Sequence, residues 1–205
     1  MTKIVCFGEV LWDIYPDRME IGGAPFNVYY RLHSLGNNVK IISSIGDDDL
    51  GLKALKFFKK NNLNSEFLSI DKYHKTGQVK IQLKSGEPSY SIVNDVAWDF
   101  IPSKKEYTSE NFDYVIFGSL AIRNDKSFET LKEILRKSKF KILDLNIRQN
   151  YYQRDKLEFL LQSADYLKIN MDELMLLKDL FNIKDHEAED IAQKIFSKYN
   201  LKYIC

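Results

Sequence analysis

The 205 residues contain only two cysteines, Cys6 inside an apolar run and Cys205 at the last position. Neither a disulfide framework nor a zinc quartet can be assembled from them, and the usage fits a reducing cytosol. Long hydrophobic runs are missing too. The N-terminus enters a short apolar stretch that already carries Glu9 and Asp13, too brief and too acidic for a signal peptide or a membrane span. The chain therefore reads as cytoplasmic, with no membrane partner. Nor is there an excess of one charge: 30 Lys and Arg are interleaved with 29 Asp and Glu, for a net charge of +1. That excludes a nucleic-acid patch or an acidic tail and leaves a small neutral or anionic ligand.

Glycine and proline are scarce, and the last glycine is Gly118. No later glycine-rich turn can cradle phosphates, and neither Gly-x-x-x-x-Gly-Lys nor Gly-x-Gly-x-x-Gly occurs. The second absence argues against a nucleotide-dependent oxidoreductase. His33, His74 and His186 have no mutual spacing that suggests zinc or a catalytic triad. Asp47-Asp48-Asp49 stands beside a helix start, where acids cap the helix and suit its dipole.

What is present alternates. Apolar runs at Lys3 to Phe7, Val39 to Ile45, Tyr114 to Phe117, Phe140 to Leu145 and Tyr166 to Ile169 read as buried strands. Helical spacing follows them at Phe26 to Leu35, through Leu55 and Phe58, at Phe128 to Ser138, around Leu157 to Ala164, and at Met171 to Phe181. The pattern predicts an α/β fold with a doubly wound, mostly parallel sheet flanked by helices. Gly77 to Leu83 instead alternates, turns at Ser85-Gly86-Glu87-Pro88 and resumes from Tyr90 to Val93, which predicts an antiparallel hairpin. With the excursion from Leu11 to Ile21 it would make a small β-sheet standing off the main body. A helix from His186 to Tyr199 is followed by Leu201 to Cys205, which reads as the start of another buried strand.

Gly22-Gly23-Ala24-Pro25-Phe26-Asn27 puts two flexible residues and a helix-starting proline just before an amide side chain. Such a turn lets backbone approach a ligand closely, while Asn27 offers a donor and an acceptor to paired hydroxyls. Taken alone, it is also an ordinary helix entry. As an ordered set, Gly8-Glu9 with Asp13, Gly22-Gly23 with Asn27, Leu35-Gly36, and Gly46-x-Asp48-x-x-Gly51 resemble the first signature region of the PfkB (ribokinase-like) carbohydrate kinases. Asp144-x-Asn146-x-Arg148 and Asn170-x-x-Glu173 resemble two later family motifs, each just after an expected strand. Val96-Ala97-Trp98-Asp99 resembles the sequence that follows the lid in bacterial fructokinase-like members.

The resemblance implies a Rossmann-like three-layer domain over residues 1–205, with an antiparallel β lid formed by about 11–22 and 76–98. It implies an ATP- and Mg2+-dependent kinase acting on a small sugar, with fructose favoured and a homodimer through the lid as a possible partner arrangement. The sugar-binding residues would be Asp13, Gly22, Gly23, Asn27, Tyr90, Asn94 and Arg148. A polyol that satisfies both oxygens of a desolvated Asp13 is a fitting partner, although Asp13 also suits a turn before Pro16. Arg148 would reach substrate or transferred phosphate, or make a surface salt bridge. Asn170 and Glu173 would organise phosphate and magnesium, Glu173 indirectly through water; the same pair also reads as a helix N-cap with Glu at N3.

The family's catalytic aspartate and anion hole belong to a Gly-Ala-Gly-Asp segment that this sequence lacks. The chain is therefore expected to be a fragment without the C-terminal nucleotide-binding part, carrying no catalytic base and close to inactive, since loss of a base costs roughly a hundred- to ten-thousandfold. A non-catalytic sugar-binding or regulatory protein is the other reading. Within the kinases, a nucleoside or 2-keto-3-deoxygluconate kinase stays open, because pocket shape decides.

Overall fold

The computed structural model describes residues 2–84 and 87–205. The first half contains β1 (Ile4–Phe7), β2 (Leu11–Ile14), β3 (Met19–Gly22), α1 (Ala24–Ser34), β4 (Val39–Gly46), α2 (Asp49–Lys60), β5 (Leu68–Asp71), β6 (Gly77–Lys84) and β7 (Glu87–Ile92). The second contains α3 (Lys105–Thr108), β8 (Phe112–Phe117), α4 (Asp125–Arg136), β9 (Ser138–Asp144), α5 (Arg154–Ser163), β10 (Tyr166–Lys168), α6 (Met171–Leu180), α7 (Ala188–Lys198) and β11 (Tyr203–Ile204). Single 3-10 turns lie at Ala97–Phe100 and Leu120–Ile122.

Seven strands form one sheet in the order β11-β10-β9-β8-β1-β4-β5, and every pairing in it is parallel. Because side chains alternate across a strand, β1 sends Val5 and Phe7 into one core and Cys6 into the other. Phe26 and Tyr29 of α1 and Ala54 and Phe58 of α2 close the second core. Leu131 and Ile134 of α4, Leu160 of α5, Leu177 of α6 and Ile191 of α7 close the first. This is the doubly wound, three-layer arrangement expected from the alternation.

The smaller sheet runs β3-β2-β6-β7. Its hairpins are antiparallel, but β2 and β6 pair in parallel, with Asp13 opposite Val79. The sheet is thus mixed rather than wholly antiparallel. Both central strands rise from the same edge of the main sheet, β2 after β1 and β6 after β5, so they run side by side in one direction. Of the expected hairpin turn, Ser85 and Gly86 lie outside the described residues.

Strand β5 has no counterpart in the sequence reading. It is four residues long and sits at the sheet edge, too short to show a period. Ser138, expected to end α4, instead opens β9, its hydroxyl donating back to Ile134 O at 2.8 Å. The last helix begins at Ala188, two residues after the expected His186.

The Gly46-x-Asp48-x-x-Gly51 motif is a knot between the two sheets. Asp48 Oδ1 accepts from the Gly51 amide at 2.8 Å and from the Thr76 hydroxyl at 2.7 Å, and Asp48 Oδ2 accepts from the Thr76 amide at 2.9 Å. Burial alone would raise the Asp48 pKa, but these hydrogen bonds together bring it below the usual carboxylate range. The Gly46 amide donates to Thr76 Oγ1 at 2.9 Å, and a Cβ on Gly51 would strike the Gly46 carbonyl. The acid run therefore caps α2 and fixes the root of β6.

Candidate active site

In open parallel sheets, ligands bind outside the carboxyl ends of strands where the strand order reverses. Here the reversal lies between β1, which continues to β4 and β5, and β8, which continues to β9, β10 and β11. A cleft of about 470 Å³ opens at that point. Its floor comes from Glu9 after β1, Leu120 after β8, and Asn146 to Gln149 after β9, and its wall from β2, β6 and β7.

Asp13, Gly23, Asn27, Tyr90 and Arg148 all line this cleft. Asp13 stands on β2 with Glu20 opposite it on β3. Burial first, then the Glu20 charge, raises the Asp13 pKa, and Arg148 opposes them. Gly22 is buried beside Asp13, and a Cβ there would meet Asp13 Oδ2. Gly22 therefore leaves room for the carboxylate to fold over the strand. Gly23 is the N-cap of α1 at φ 111°, a conformation that favours glycine. Any Cβ at Gly23 would strike the Glu9 carbonyl. Asn27, one turn into α1, is exposed and lines the cleft, and its backbone N–H donates to Gly23 O at 2.8 Å.

Glu9 carries no assigned role in the sequence reading, yet it sits at the cleft floor and is 2% exposed. Its Oε1 accepts from the Ala24 amide at 3.1 Å, and Oε2 has no partner among the described residues. Burial pushes its pKa up to about 7, against the backbone hydrogen bonds and the Arg148 charge. The only sequence signal was its place directly after Gly8. Val79, Ile81, Tyr90 and Ile92 form the apolar wall; alternation marked β6 as a strand without telling which face would meet a ligand.

Asn94 lies elsewhere. It borders a separate depression with Asp95, Asp99, Arg123 and Tyr151. Arg123 there donates to both oxygens of Asp99 at 2.7 Å and lies 4.2 Å from the centre of the Trp98 ring. Asn170 and Glu173 pair with each other as a capping box at the start of α6. Glu173 Oε2 accepts from the Asn170 backbone N–H at 3.0 Å, and Oε1 accepts from the Ile147 backbone N–H at 2.8 Å. Glu173 is 7% exposed, so a direct metal contact would have to displace a backbone partner. No group of three His, Cys, Asp or Glu that could hold a metal ion occurs among the described residues.

A family model described as pfkB family carbohydrate kinase matches residues 1–202. The chain belongs to this family. In both sequence and fold it is similar to sugar kinases. An uncharacterized sugar kinase of Pyrococcus horikoshii is 28% identical over 177 residues, covering 77% of this chain and 54% of the relative. Its crystal structure superposes with a TM-score of 0.76, covering 86% of this chain and 68% of that one. Fructokinase-2 of Zea mays is 25% identical over 202 residues, 85% of this chain and 59% of the relative. A fructokinase of Xylella fastidiosa solved with bound ATP is 21% identical with a TM-score of 0.83, covering 98% of this chain and 66% of that one. At that identity the likeness speaks for the fold. This PfkB chain spans little more than half the length of the curated relatives it matches.

Proposed function

We propose that this chain carries the sugar-binding part of an ATP-dependent carbohydrate kinase, with fructose as the first substrate to test. The observation that carries the reading is the convergence of Asp13, Gly23, Asn27 and Arg148 on one cleft at the switch point of the sheet. Two acceptor-rich carboxyl groups, an amide and a guanidinium around an apolar wall suit a molecule with several adjacent hydroxyls. Asp13 and Asn27 would orient it, and Arg148 would steady the hydroxyl side or an incoming phosphate.

The phosphoryl donor in this reading is ATP with Mg2+, a choice supported by the fructokinase of similar fold solved with bound ATP, with Asn170 and Glu173 assisting phosphate and magnesium. No glycine follows Gly118, so the proposal counts no glycine-rich anion hole in the later part of this chain. The chain on its own is thus proposed to bind sugar without transferring phosphate. A cytoplasmic location and pairing through the β3 edge of the smaller sheet belong to the same proposal; the support for pairing is that, among the described residues, β3 is an edge strand. Among the described residues no helix is long and apolar enough to cross a membrane.

Titration calorimetry of this chain with D-fructose, other hexoses, 2-keto-3-deoxygluconate and nucleosides tests the reading. Saturable fructose binding without ADP release supports it. Binding of a nucleoside with no sugar would transfer the cleft to another substrate class, and binding of neither would remove the proposal.

A further inference from the structure

Strand β7 is an edge of the smaller sheet. The Val93 amide donates to Gln78 O at 3.2 Å, so this amide and, two residues earlier, the backbone groups of Ser91, opposite Lys80, face β6, while the Val93 carbonyl accepts from Arg123 at 2.7 Å. Tyr90 and Ile92 then present theirs on the outer edge, because neighbouring residues of a strand face opposite ways. Both outward carbonyls are taken by side chains of the segment that follows β9. Gln149 Nε2 donates to Tyr90 O at 2.7 Å, and the Tyr151 hydroxyl donates to Ile92 O at 3.2 Å.

The same two residues, Tyr90 and Ile92, wall the cleft with their side chains. Gln149 directly follows Arg148 and takes a left-handed backbone, φ 50°, which a non-glycine residue adopts at a cost. Its side chain reaches the β7 edge from that conformation.

We infer that Gln149 and Tyr151 are positioning residues: a two-point latch that sets the distance between the β7 wall and the Asp13, Asn27 and Arg148 side of the cleft. The latch rests on the sugar-binding reading for its purpose, not for its existence. Donors spaced two residues apart take alternate carbonyls, as a neighbouring strand would, and the edge is covered without a further strand. A sugar held against Tyr90 and Ile92 then meets a wall whose position is tied to the Arg148 loop.

The test uses the whole chain with three variants: Gln149→Ala, Gln149→Glu, which keeps the size and loses the donor, and Tyr151→Phe, which loses only the hydroxyl. Gln149 is exposed, so its variants retain the fold, as the unfolding transition will report. The readouts are amide hydrogen exchange across β6 and β7 and D-fructose affinity by calorimetry. The latch predicts exchange about three- to tenfold faster in β6 and β7, unchanged exchange in β1, β4 and β8, and affinity lowered by a similar factor, the loss expected for one neutral hydrogen bond. Gln149→Glu should be worse than Gln149→Ala, because a carboxylate would face a carbonyl. Unchanged exchange in all three variants overturns the latch. Faster exchange with unchanged affinity overturns its role in positioning sugar. If the wild-type chain binds no sugar and the variants still exchange faster, the latch stands and the proposed function falls.

Discussion

Glu173 accepts the Ile147 amide at 2.8 Å, so the first turn of α6 holds the loop that carries Arg148. With its other oxygen on the Asn170 amide, the carboxylate is a joint between two elements. Glu173→Gln must turn an NH2 toward one of these N–H groups. The expected result is a stability loss of about 1–3 kcal/mol, measured by chemical denaturation, and weaker sugar binding. The loss should be the same with and without Mg2+. A variant with wild-type stability and a purely Mg2+-dependent defect would contradict the joint.

Two glycines with positive φ should behave differently. At Gly23, φ is 111° and a Cβ would press on the Glu9 carbonyl; at Gly36, φ is 80° and nothing lies within 4 Å. Gly36→Ala should cost only the backbone strain, about 1–2 kcal/mol. Gly23→Ala adds a backbone collision at the site and should cost more than about 3 kcal/mol, with sugar binding abolished. Urea unfolding of the two variants side by side decides; equal losses would mean that the bend yields to a methyl group.

The main sheet was legible because a doubly buried parallel strand writes a continuous apolar run, as in Ile4–Phe7 and Tyr114–Phe117. Four-residue β5 wrote too little to be seen. The parallel β2–β6 pairing was not legible, since alternation reports a strand but not its neighbour. At the site, the family resemblance of their motifs pointed to Asp13, Gly23, Asn27 and Arg148, which the fold brings to one cleft. Glu9 stood in the signature without a role and Gln149 stood in no motif, because their importance depends on contacts with Ala24 and Tyr90 that no local pattern encodes. Asn94 follows the hairpin in sequence, yet the chain has already turned away from the cleft there.

Glu9 gives a pH signature. Burial moves its pKa from 4.5 in the unfolded chain to about 7 in the folded one. Between those values the folded state binds more protons than the unfolded state, so stability falls as pH rises through the window and levels off above it. Glu9→Gln removes this dependence while keeping an acceptor for the Ala24 amide. The variant should match wild type near pH 4.5 and exceed it at pH 8, by about 3 kcal/mol at most. Denaturation curves across the range measure the difference; parallel profiles for the two proteins would show that Glu9 ionises freely.

Asp13 and Asn27 supply the most direct check on the cleft, because they come from different elements, β2 and α1, and share no hydrogen bond in the structure. If one polyol bridges them, removing either should weaken D-fructose by about tenfold or more, the value of a hydrogen bond to a charged group. Removing both should cost less than the sum, since each loss frees the sugar from the other, with a coupling of at least about 0.5 kcal/mol. Asp13→Asn should leave the unfolding midpoint unchanged or higher, because burial and the Glu20 charge already disfavour the ionised carboxylate. A calorimetric cycle of Asp13→Asn, Asn27→Ala and the double variant measures all three quantities. Strictly additive losses would mean that the two side chains act on the fold separately, and unchanged affinity would place the sugar somewhere else.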